Sequence, residues 1–294
     1  MLRLVALLGA ALVLLVAPGR AGLAAPARAG PTAIVAAESV YADVARQIAG
    51  PAAEVSAILT NPDQDPHLFE VTPSVARAVA RARIVVLNGA DYDPWMRRLI
   101  AAQPDADRIV IDVAQLVHAG PGANPHLWYD PAAIPAYARA LARALGGIDP
   151  AGADRYVANL RSFLDSRAPL DERIAAMRRR WSGVAVAATE PVFGLMAAAL
   201  GLDMREPGFQ RAVMNGTEPS PSETAGFERD LRGHAVRVLI VNIQASDAAV
   251  ERLRRIAGEA GIPVVGVTET EPPGQTYQGW MLSQLDALEA ALAR

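Results

Sequence analysis

Cysteine is absent from this chain of 294 residues. That excludes disulfides, thiolate metal ligands and a cysteine nucleophile. It also removes the lipobox cysteine that would tether an exported protein by lipid. Lysine is missing too, so all 28 basic residues are arginine, which we read as genomic composition bias. No basic run occurs, so nothing in the charge pattern calls for nucleic acid as a partner. The chain has no H-E-x-x-H, no G-x-S-x-G and no P-loop lysine motif. Pro and Gly are spread evenly, leaving no low-complexity linker and no short repeat. Histidine is scarce, at four residues.

The one long apolar run lies at the start. Residues 4–16 form it, behind Arg3 and ahead of Ala27-Arg28-Ala29, and together these read as a secretory signal peptide over residues 1–29. Gly30 is then the first mature residue, although a cut after Ala24 fits the same signals. The run is shorter than the roughly 20 residues of a membrane-spanning helix, and no later segment is long and apolar enough to span. Cleavage removes Arg3, Arg20 and Arg28 and no acid, leaving 25 basic against 31 acidic residues, a formal charge of −6. The expectation is a free periplasmic protein. Residues 30–294 are long for one core and comfortable for two lobes.

Short runs rich in Val and Ile alternate with helical patterns, as in βαβ units around parallel sheets. Strands are expected at 33–37, 55–59, 84–87 and 109–112, and again at 184–188, 238–241 and 263–267. Between the two sets, residues 150–180 carry apolar positions at helical spacing among many charges. A helix of about thirty residues spans about 45 Å, and Pro169 should kink or interrupt it. The expected organisation is therefore α/β, with mostly parallel sheets in two lobes, 30–149 and 181–294, joined by a long helix.

Two of the four histidines stand in matched phrases, Asp65-Pro66-His67-Leu68 and Asn124-Pro125-His126-Leu127. Each lies in a Pro-punctuated loop ahead of a helix, and neutral imidazole is the commonest protein metal ligand. In open parallel sheets, ligands bind beyond the carboxyl ends of the strands. There the second half places Thr189-Glu190-Pro191 and Thr268-Glu269. Two imidazoles and two carboxylates would neutralise a divalent cation and offset the cost of burying its charge. Glu271 competes with Glu269 for the last position, since Pro272-Pro273-Gly274 brings it into the same turn. His118 and His234 lack the flanking pattern and read as surface or structural residues, while Asp63 and Asp65 read as shaping their loop.

Asp65-Pro66-His67, Thr72-Pro73-Ser74, Asn88-Gly89 before Trp95, Asn124-Pro125-His126-Leu127-Trp128-Tyr129-Asp130-Pro131 and Gly274-Gln275-Thr276-Tyr277 together resemble the solute-binding proteins of zinc and manganese ABC transporters. The resemblance covers nearly the whole mature chain. It implies two α/β lobes on a fairly rigid linker helix, with a metal held between them by His67, His126, Glu190 and Glu269. It also implies small motion on binding, a monomer, and an inner-membrane permease with its ATPase as partners. Zinc-type members tend to have His at the third position and a His-rich acidic loop in the first lobe. This chain has Glu190 and no such loop between Gln115 and Asn124, which resembles the manganese or iron subtype, although that subtype usually has Asp where Glu269 stands. Oxygen donors suit Mn²⁺, so Mn²⁺ is favoured over Zn²⁺, with Fe²⁺ third. The alternative is a secreted zinc-dependent hydrolase using His67, His126 and Glu190, with a metal-bound water in the open position.

Overall fold

The computed structural model describes residues 30–62, 69–245 and 248–294. The expected signal segment and His67 lie outside the described residues. Strands β1 (Thr32–Glu38), β2 (Ala53–Leu59), β3 (Ile84–Leu87) and β4 (Ile109–Asp112) form one parallel sheet in the order β2-β1-β3-β4. Strands β5 (Ala185–Ala188), β6 (Asp203–Arg205), β7 (Leu239–Asn242) and β8 (Val264–Val267) form a second parallel sheet, β6-β5-β7-β8. The two orders are the same, so each lobe reverses its strand order at one point, between β1 and β3 or between β5 and β7. Such a reversal opens a crevice at the carboxyl ends of the strands.

Burial explains the sequence pattern. All four residues of β3 and of β7 are buried, as expected of strands covered on both faces. In the second sheet the faces separate cleanly. Val186, Ala188 and Ile240 join a core that also holds Ile34, Val85 and Trp280. Ala187, Leu239 and Val241 point to a smaller core with Phe209, Phe227 and Leu253. The larger core therefore runs continuously through both sheets.

Helices α1 (Ser39–Ala49), α2 (Pro73–Arg81), α3 (Pro94–Ala102), α4 (Val113–Leu116) and α5 (Ala133–Ile148) accompany the first sheet. Thr72 caps α2 by accepting from the Val75 N–H at 3.4 Å, with Pro73 in the first turn. The connecting segment is two helices, α6 (Ala153–Ser166) and α7 (Ala168–Trp181), separated by Arg167 alone. The break falls just ahead of Pro169, which has no N–H to continue the ladder. Helices α8 (Gly194–Ala199), α9 (Pro207–Met214), α10 (Pro221–Arg232) and α11 (Ala248–Glu259) follow, and α12 (Tyr277–Leu292) closes the chain. Among the described residues no helix is long and apolar enough to cross a membrane.

Helix α12 belongs to both halves. The Tyr277 N–H donates to Asp43 Oδ2 on α1 at 2.9 Å, and Gln278 Nε2 donates to Gln47 at 3.0 Å and to Ser166 at the end of α6 at 2.7 Å. Further along, Arg173 of α7 pairs with Glu289 at 3.0 Å.

Candidate functional site

The buried side chains of Glu190, Asn242 and Glu269 meet at the carboxyl ends of β5, β7 and β8. Glu190 lies two residues past β5, Glu269 two residues past β8, and Asn242 is the last residue of β7, the strand between them. Asn242 Nδ2 donates to Glu190 Oε2 at 2.6 Å and to Glu269 Oε1 at 2.7 Å. Its own Oδ1 accepts the Gln244 N–H at 3.1 Å, which fixes the orientation of the amide. Gln244 in turn accepts the backbone N–H groups of Glu269 and Thr270. The Glu269 turn is thus pinned to the end of β7.

His126 meets this group from the first lobe. The residue is fully buried, and its Nε2 lies 3.2 Å from Glu269 Oε2. Its Nδ1 lies 2.8 Å from Asn124 Oδ1, while Asn124 Nδ2 donates to the Pro191 carbonyl at 2.6 Å. With that amide orientation set, Asn124 Oδ1 accepts and His126 Nδ1 is the donor. Nε2 is then the ring nitrogen that faces Glu269. The Tyr92 hydroxyl donates to the same Glu269 oxygen at 2.8 Å, and burial together with that carboxylate holds its phenol well above the usual range. Tyr92 and Trp128 pack edge-on against the imidazole, with centroids 5.8 and 5.5 Å away.

The first sheet supports the histidine loop with its own asparagine. Asn88, directly after β3, donates to the Pro125 carbonyl at 2.7 Å and accepts from the Tyr41 hydroxyl at 2.6 Å. Asp93 accepts the Asn88 and Gly89 N–H groups at 2.7 and 2.9 Å. Gly89 is required there: its φ is +77°, and a Cβ would meet Ala114 Cβ at 2.8 Å. Beside Asp93 sits Glu38, the last residue of β1. Burial, then the charge of Asp93, push Glu38 well above the usual carboxyl range, and burial pushes Asp93 up to about 6.

Of the four sequence candidates, His126 and Glu269 are in contact, and Glu190 reaches Glu269 through Asn242. Among the described residues these do not close into a ready cluster of three ligand side chains. Glu271 is placed elsewhere: its N–H donates to Ser39 on α1, and burial, with Asp43 nearby, pushes its carboxyl up to about 9. His118 and His234 are exposed, as expected. Asn242, Tyr92 and Asn88 were not foreseen as site residues. Asn88-Gly89 carries part of the family resemblance without assigning either residue a role, and Asn242 carries no motif at all.

The family described as zinc-uptake complex component A, periplasmic (ZnuA), matches residues 34–291. The chain is 33% identical over 146 residues to the manganese-binding lipoprotein MntA of Halalkalibacterium halodurans, a match spanning about half of each, 48% of this chain and 48% of that protein. It is 25% identical over 251 residues to the iron-binding protein YfeA of Yersinia pestis, covering 80% of this chain and 76% of that one. The solved periplasmic zinc binding protein TroA from Treponema pallidum has a TM-score of 0.76 at 18% identity, covering 90% of this chain and 100% of that chain, which shows a common fold. With a family match from the first strand to the last helix, this chain belongs to the periplasmic zinc-uptake component A family, the metal-binding solute-binding proteins of ABC transporters.

Proposed function

We propose that this protein captures a divalent transition-metal ion in the periplasm and passes it to an ABC permease and its ATPase for import. The lobes 30–149 and 181–294, joined through 150–180, would each lend two ligands: His67 and His126 from the first, Glu190 and Glu269 from the second. One observation carries the reading. His126 has its Nδ1 committed to Asn124, so its Nε2 and a Glu269 carboxylate oxygen face each other at 3.2 Å in a buried site. A nitrogen and an oxygen so placed are suited to sharing a cation, and the Nδ1 hydrogen bond is the usual means of orienting a metal-binding imidazole.

Mn²⁺ is the cargo this reading favours, over Zn²⁺ and then Fe²⁺. Its support is the carboxylate at position 190 and the manganese-binding relative. A relative named for iron and a structural neighbour named for zinc keep the other two ions in the test.

The test is thermal unfolding of chelator-stripped protein titrated with Mn²⁺ and with Zn²⁺. Ligand at a hundredfold excess over Kd adds about 2.7 kcal/mol of stability. Both ions are expected to raise the melting temperature with one-to-one saturation, and His67→Ala and His126→Ala are expected to abolish the rise while leaving the metal-free melt intact. No stabilisation by either ion would overturn capture.

A further inference from the structure

We propose that capture of the ion expels a proton from Glu38, which stands in the first lobe where Glu190 stands in the second. This rests on the metal-capture reading and adds an acid-sensitive control to it. The correspondence is one of register. Ala36 of β1 pairs with Val86 of β3, and Ala188 of β5 pairs with Ile240 of β7. Two residues further on, the first pair leads to Glu38 and Asn88 and the second to Glu190 and Asn242. Each lobe therefore carries a glutamate and an asparagine at the carboxyl ends of its two middle strands, where the strand order reverses.

The two glutamates are compensated differently. Glu190 accepts from Asn242 at 2.6 Å. Asn88 instead turns its amide hydrogens to the Gly89 and Pro125 carbonyls. Among the described residues, no donor from another residue reaches either Glu38 oxygen. Glu38 is 3% exposed, and the charged group facing it is a second carboxylate, Asp93. A buried carboxylate in such a setting is costly unless it holds a proton. The Asp93 oxygens each accept a backbone N–H, from Asn88 and Gly89. Asp93 is therefore the ionised member, and Glu38 keeps a proton and donates it to Asp93.

Tyr92 connects this pair to the site. Its hydroxyl donates to Glu269 Oε2, and the charges of Glu269 and Glu38 both act on its phenol. The Tyr41 phenol, on α1, faces the same two acids, Glu38 and Asp93. Buried charges are little screened by salt, so the two positive charges of an arriving ion favour the ionised form of Glu38. One carboxyl O–H breaks, the carboxylate stays beside Asp93, and the proton passes to buffer. Binding thus tightens as pH rises and loosens in acid, where Glu38 keeps its proton.

The experiment measures the Zn²⁺ affinity of chelator-stripped wild type and Glu38→Gln between about pH 6 and pH 8, and counts released protons by calorimetry in two buffers. Imidazole titration is common to both proteins, so the difference between them reports on position 38. Wild type is expected to release up to about one proton more per ion and to gain up to about tenfold more affinity per pH unit. Equal proton counts with parallel pH dependences overturn the proposal. Should Glu38→Gln fail to fold, infrared difference spectra of Glu271→Gln at about pH 8 decide the matter, since that variant lacks the other carboxyl that still holds a proton there. The band of a protonated carboxyl is expected to disappear on adding Zn²⁺, and a band that persists overturns the proposal. Wild type that binds no Zn²⁺ at any of these pH values sinks the capture reading itself, a result distinct from binding without the extra proton.

Discussion

At the scale of single residues, the site is organised by amides as much as by its charged groups. Asn124 decides which imidazole nitrogen of His126 faces the cleft, Asn88 holds the carbonyl just before it, and Asn242 ties together the two glutamates. A neutral donor suits such places because it aligns a carboxylate or carbonyl without adding another buried charge. The first prediction at this scale concerns Glu190. Replacing it by His exchanges an oxygen donor for imidazole, and Glu190→His is expected to raise Zn²⁺ affinity relative to Mn²⁺ in competition titrations. The Asn242 bond to Glu190 is lost in the same change, so the effects of Glu190→His and Asn242→Leu should be non-additive, as for residues sharing one network. An unchanged Zn/Mn ratio in Glu190→His would argue that position 190 does not touch the metal. His126 was legible in the sequence because a repeated Pro-His phrase stands out among four histidines. Asn242 was not, because an uncharged residue ending an apolar strand carries no pattern until the fold sets β7 between β5 and β8.

At the scale of elements, legibility followed burial. β3 and β4 were readable to the residue because a fully or half-covered parallel strand is a continuous apolar run. β6 was missed: it is three residues long, Asp203-Met204-Arg205, and pairs on one side only, at the sheet edge. The start of α10 is written in the sequence as Ser-Pro-Ser-Glu, where Ser220 and Glu223 form a capping box. The ends of β1 and β3 yield a prediction about pH. Glu38 and Asp93 both bind protons more tightly in the folded chain than in the unfolded one, where carboxyls titrate near about 4. Their contribution to stability is therefore complete below that range. It is lost as pH rises, first through about 6, where Asp93 gives up its proton. Urea midpoints of the metal-free protein should fall between about pH 5 and pH 8, and those of Glu38→Gln, whose side chain stays neutral, should fall less. Glu271 follows the same trend from its own site, so the slope should shrink without vanishing. Equal slopes in the two proteins would show that the Glu38 carboxyl does not hold its proton in the folded state.

At the scale of the whole molecule, two sheets with the same strand order share one core. Ile34 and Val85 of the first sheet, Ile240 of the second, and Tyr277, Trp280 and Leu285 of α12 belong to a single buried cluster. A hinge between the lobes would have to divide that cluster, so the proposed capture is expected to move the lobes little, as the family resemblance also implies. Trp280 is the place to test it. It is 1% exposed, stacks near Tyr129 with centroids 5.8 Å apart, and donates through Nε1 to Thr268 Oγ1 at 3.0 Å, next to Glu269. Truncating a buried Trp to Ala removes about 3–5 kcal/mol. If the lobes fold as one cooperative unit, Trp280→Ala lowers the protection of the slowest-exchanging amides by the same amount in β3 and in β7, since both open only in global unfolding. Loss confined to β7, with β3 unchanged, would mean that the lobes unfold separately and that the shared core does not restrain them.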